Sequence, residues 1–166
     1  MENISLSYGF YIPAVLAFLY LHRTSDNIGY VDSVILFIAT SLTLYTAEFI
    51  DNSVKLIPFY AFALFFYLIK RSGGQSRAMP AGVILTLCFI SLIIPDVCGT
   101  IHFGKGKPGV LGGDGITDAL FKPVFFAVFY FLLCAIIGWL DKKGPSHIFA
   151  LLQYHWNIKK VVEEQE

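Results

Sequence analysis

The run VFFAVFYFLLCAIIGWL at residues 124–140 decides the fold class. It follows Lys122 and Pro123, carries no charged side chain, and as a helix would extend about 25 Å at 1.5 Å per residue. A bilayer core takes roughly 20 apolar residues in helix, so this run reads as a membrane span. Four further apolar runs lie upstream. The expected spans are 4–21, with Pro13 near its middle, then 33–50, 55–69, 80–96 (bounded by Pro80 and Pro95) and 120–140.

Composition agrees with that reading. The 166 residues are 56% hydrophobic, 16% aromatic and 14% charged, with a mean hydropathy of +0.66. Soluble domains carry about a quarter charged residues, so this chain has too few to cover a surface that faces water. A soluble enzyme, a nucleic-acid module and a disordered regulator are thereby excluded. Twelve Lys+Arg against twelve Asp+Glu leave no net charge and no global field to steer a charged partner. The expected fold is an all-α integral membrane protein. It comprises a polytopic bundle of about five transmembrane helices over residues 1–140 and an amphipathic tail over 141–166. In that tail Ile148, Leu151, Leu152 and His155 share a helical face, as in helices that lie in the headgroup plane.

Orientation follows from the cations. With the N-terminus outside, Arg23, Lys70, Arg71, Arg77, Lys142, Lys143, Lys159 and Lys160 fall inside, and Lys55, Lys105, Lys107 and Lys122 outside. Eight of the twelve on one side predict N-out and a cytoplasmic C-terminus by the positive-inside rule. The first run has no preceding Lys or Arg and no small-residue cleavage site, so it reads as a span rather than a signal peptide.

Two regions carry polar groups of interest. On the second span Ser41, Tyr45 and Glu48 stand at i, i+4 and i+7, continued by Asp51 and Asn52. Ionisable groups in lipid are costly, so this stripe is expected to face other helices or a wet cavity. The long connection 96–122 holds Asp96, Cys98, His102, Lys105, Lys107, Asp114 and Asp118 on the same side of the bundle. Cys98 with His102 has the residue types of a nucleophile and its base. One Cys, one His and scattered acids lack a metal-ligand pattern, and neither a metal nor a cofactor is expected. Gly104–Gly109 lacks the frame and ending of a phosphate-binding loop. Cys88 and Cys134 sit in apolar runs, which leaves Cys98 without an evident disulfide partner. The residues expected to carry an interaction are Glu48, His102, Lys105, Lys107 and Asp118.

One spacing resembles a known family. Asp51 precedes Ile57-Pro58, and Gly112-Gly113-Asp114 stands ahead of the last span. This is similar to the two-aspartate arrangement of prepilin peptidases and related intramembrane proteases. The resemblance implies that Asp51 and Asp114 act as an acid and base pair on water, one protonated and one ionised. The chain departs from that pattern at Leu111, where a glycine is wanted, at Phe59, where Asn usually follows Ile-Pro, and in having one span after Asp114.

Three functions remain open. The first is a small bacterial inner-membrane protein acting by protein–protein contact, in the manner of immunity or exclusion proteins of mobile elements. Its partners would be the bilayer and another membrane protein or an incoming protein, with no nucleic acid. That reading is an analogy of architecture. The others are the aspartyl protease and a small transporter or pore component.

Overall fold

The computed structural model describes residues 5–25, 28–50, 53–73, 81–104, 110–111, 118–140 and 152. Within them the chain is mostly helical, with α1 (Tyr8–Ser25), α2 (Tyr30–Tyr45), α3 (Phe59–Gly73), α4 (Ala81–Gly104) and α5 (Lys122–Leu140). Four short strands accompany the helices: β1 (Ser5–Leu6), β2 (Glu48–Ile50), β3 (Ser53–Lys55) and β4 (Val110–Leu111). A 3-10 turn over Ala119–Phe121 leads into α5.

The helix α4 is the axis of the bundle, touching α1, α2, α3 and α5. Val83, Ile84, Leu85, Leu87, Cys88 and Leu92 on it are fully buried. Of the most apolar stretch of α4, 72% is buried, against 33% for α5. These are also the two helices long and apolar enough to cross a membrane by length and composition. The surrounding helices turn apolar side chains outward, among them Phe18 on α1, Phe37 on α2, Phe66 on α3 and Phe129 on α5. Between α3 and α5 the seam is aromatic. Phe65 stacks on Phe126 at 4.9 Å between ring centres, and Phe62 meets the same ring edge-on at 5.4 Å, geometries that aromatic pairs favour.

Close approach at both ends of α4 depends on glycine. A Cβ on Gly82 would run into the ring of Tyr20 on α1, and one on Gly99 would stand 3.0 Å from Val54 on β3. Hydroxyls along the helices turn back onto carbonyls one turn earlier: Thr40 onto Leu36, Thr43 onto Ala39 and Thr86 onto Gly82. Such back-bonding satisfies a polar side chain without a partner from another element.

The strands tie one end of the bundle together. β1 and β4 pair in parallel, Ser5 with Val110 and Leu6 with Leu111, so the start of α1 lies beside the chain that leaves α4. β2 and β3 form an antiparallel hairpin in the register Glu48–Lys55, Phe49–Val54 and Ile50–Ser53. The hairpin packs on the last turns of α4. All five helices therefore start or finish at this hairpin end, and the opposite end holds the finish of α3 and the starts of α2 and α4.

Two expected boundaries are corrected. The second span was expected to reach residue 50, but α2 stops at Tyr45 and the next residues form β2. The N–H groups of Thr46 and Ala47 close the helix onto the carbonyls of Leu42 and Leu44, and the following Phe49, Ile50 and Val54 are residue types that suit strands. The fourth span was expected to end near Pro95, but α4 runs through that proline to Gly104. Proline removes one backbone donor, and packing of the flanking turns makes this tolerable in an apolar helix. Here Asp96 and Thr100, beyond the proline, are both buried. Of the tail 141–166, only Leu152 is among the described residues.

Candidate functional site

Each end of the bundle buries one carboxylate. At the end away from the hairpin, Asp32 occupies the third position of α2 and is 3% exposed. Its Oδ2 accepts the backbone N–H of Gly29 at 2.7 Å, the reciprocal half of a capping box. The same oxygen accepts from Nη1 of Arg71, in the last turn of α3, and Oδ1 accepts the hydroxyl of Tyr67 at 2.8 Å. A carboxylate at a helix N-terminus and a guanidinium at a helix C-terminus each complement the local dipole. One ion pair therefore serves two antiparallel helices. The Arg71 side chain is 24% exposed, while its carboxylate partner is enclosed.

This cluster was missed on sequence grounds. Attention fell on the stripe Ser41, Tyr45 and Glu48, expected to line an interhelical seam. The structure turns Ser41 and Tyr45 outward and buries Asp32, Ala39 and Thr43 instead. A signal was available: an acid three residues after Gly29, and a basic residue ending an aromatic helix.

At the hairpin end Asp96 is also 3% exposed. It sits on α4, where Thr100 Oγ1 donates to the Asp96 carbonyl at 2.8 Å. The Asp118 carboxylate is within electrostatic reach of Asp96. Asp118 is half-buried and caps the 3-10 turn, its Oδ1 accepting the N–H of Leu120 at 2.8 Å. Among the described residues no hydrogen bond reaches the Asp96 carboxylate. Around this pair stand the hairpin, with Glu48 directly across from Lys55 and both exposed, and Cys98, an exposed free thiol.

The other sequence candidates divide as follows. Glu48 is on β2, past the end of α2 and exposed; the expectation that it lies inside a helical span is corrected. His102 falls in the last turn of α4, one helical turn after Cys98, and so on a helix rather than in a loop. Lys105, Lys107, Asp51 and Asp114 lie outside the described residues. Among the described residues, Asp96 and Asp118 are acids within electrostatic reach of each other. Among the described residues no group of three or more His, Cys, Asp or Glu side chains could hold a metal ion.

What this end can do chemically is set by its residue types. It offers exposed charges of both signs on a short hairpin and a buried acid behind them. That combination suits recognition of a polar surface, or the handling of a cation or proton by the buried acid. Comparison with protein families, curated proteins and solved structures finds no match to this chain.

Proposed function

We propose that this chain is a small polytopic protein of the bacterial inner membrane that acts by binding another protein at its hairpin end. Immunity and exclusion proteins of mobile elements are the nearest functional analogy. One observation carries the reading: the charged side chains gather at the two ends of the bundle. Glu48, Lys55, Asp96, Asp118 and Lys122 stand toward the hairpin end, and Asp32, Lys70 and Arg71 at the other. The helical stretches between them carry no Asp, Glu, Lys or Arg, and their outward faces are uncharged and largely apolar. Such a belt suits a bilayer, where exposed apolar side chains lose nothing and only the ends meet water. Within lipid the bundle is held by packing and by polar contacts such as Asp32–Arg71, because apolar burial no longer drives association.

The test joins topology to protection. A C-terminal alkaline phosphatase fusion should be inactive and a fluorescent-protein fusion bright, as N-out and C-in requires. Cells making the chain are then challenged with phage or conjugative donors. Alanine at Glu48, His102, Lys105, Lys107 or Asp118 should weaken protection in graded steps, because recognition spreads over a patch with a few dominant anchors. All-or-none loss in both Asp51→Asn and Asp114→Asn would favour the protease instead.

A second reading, a small transporter or pore component, is favoured by Asp96. A buried acid within a span is a functional candidate by its cost alone, and Asp118 is its neighbour. Cation flux into proteoliposomes that is lost in Asp96→Asn would establish this reading over the first.

A further inference from the structure

The apolar segments of α1, α2 and α3 agree in length, and they are short. Helix α2 has 16 residues and α3 has 15, about 24 and 22 Å at 1.5 Å per residue. On α1 the apolar part, Tyr8–Leu21, comes to about 21 Å before His22 and Arg23. Helix α4 is longer, and its apolar window Ala81–Ile101 would reach about 31 Å, but its uncharged part from Ala81 to Pro95 extends about 22 Å before buried Asp96. The hydrocarbon core of a typical bilayer is about 30 Å thick.

The tyrosines mark the same interval. Tyr30 and Tyr45, at the first and last positions of α2, are 85% and 87% exposed, the most exposed large hydrophobic side chains of the described residues. Tyr8 and Tyr11 are exposed at the hairpin end of α1. Amphipathic rings collect at the headgroup level, and those of α2 are separated by about 22 Å along the helix. Within this interval the outward side chains are mostly apolar, with the small hydroxyls of Ser33 and Ser41 on α2 as uncharged exceptions. The 19-residue α5, about 28 Å long, fits the same slab when tilted.

We infer that the bundle is matched to a thin hydrocarbon slab of about 20–24 Å, and that its outward faces take phospholipids with short acyl chains as their partner. The inference rests on the membrane-bundle reading. It adds a lipid specificity: the chain gathers short-chain lipid around itself, or thins the bilayer where it sits. A thick bilayer would instead draw the Tyr45 end, the hairpin and buried Asp96 into hydrocarbon.

The full chain is reconstituted into phosphatidylcholine vesicles with monounsaturated chains of roughly 14, 18 or 22 carbons, and thermal loss of helical circular dichroism is followed. The midpoint should be highest in the shortest lipid and lower by roughly 5 °C or more in the longest. Equal midpoints, or a maximum in the longest lipid, would overturn the inference. A second measurement places spin labels at Tyr30→Cys and Tyr45→Cys in a chain whose native cysteines are alanine. Both labels should report headgroup depth in the shortest lipid; a Tyr45 label deep among the acyl chains there would equally overturn it. A chain that fails to float with any vesicle, or that alkaline carbonate strips off, removes the membrane reading itself. A chain that floats and resists carbonate without chain-length preference removes only the present inference.

Discussion

Asp32 and Asp96 are equally buried, yet their surroundings differ. Asp32 receives a backbone N–H, a tyrosine hydroxyl and a guanidinium from two helices that cross at their ends. Asp96 has another carboxylate as its charged neighbour, and the described residues donate nothing to its side chain. A buried acid with a full set of donors holds structure together, because removing a donor leaves an uncompensated charge. One placed beside a like charge makes no such contribution. One end of the bundle is thus closed by an ion pair shared between α2 and α3, while the other sets two like charges within electrostatic reach of each other.

The largest effect should come from breaking the closed end. Arg71→Ala should destabilise the protein by about 3–5 kcal/mol, read as denaturant or thermal unfolding in detergent. Adding Asp32→Ala should recover part of that loss, because the orphaned charge goes too. If the double variant is no better than the single, the pair contributes through packing rather than charge.

Glycine contacts sharpen the same contrast at smaller scale. Gly82→Ala presses into the buried ring of Tyr20 between two helices and should cost about 1–3 kcal/mol, as overpacking does. Gly99→Ala meets Val54 on a three-residue strand, which can give by a few tenths of an ångström. It should cost less than half as much in the same unfolding measurement. Equal losses would mean that the hairpin is held as rigidly as the helices.

The smallest effect is expected at the acid pair. Asp96→Asn keeps the shape and removes a like charge, so stability should change by less than about 0.5 kcal/mol or rise slightly. A loss as large as that of Arg71→Ala would show that Asp96 has a structural cation of its own.

Much of the helical architecture was legible because the signal is local. Uncharged runs such as residues 81–95 and 124–140 must hide their backbone polar groups, and a helix does so within the run itself. The stripe through Ser41, Tyr45 and Glu48 misled because it extends a helical period past the point where the helix ends. Asp51-Asn52, between two short apolar segments, was available as a turn signal, but three-residue strands are too brief to show alternation. Similarly, Pro95 marks a helix boundary only when nothing beyond it packs. Asp118 is among the polar residues the sequence offers, but its capping of the 3-10 turn could not be read from spacing.

The sequence by itself determined where uncharged helices form and that charges lie at their ends, because both follow from the free energy of each segment in its own solvent. Only the tertiary structure decided that α4 is the axis, that Asp32 meets Tyr67 and Arg71, and that Asp118 comes within electrostatic reach of Asp96. Those outcomes depend on which helix faces touch, and in an almost uniformly apolar chain hydrophobic patterning distinguishes the faces poorly. Small residues such as Gly82 and Gly99, and a few hydrogen-bonding side chains, select among packings of nearly equal apolar burial.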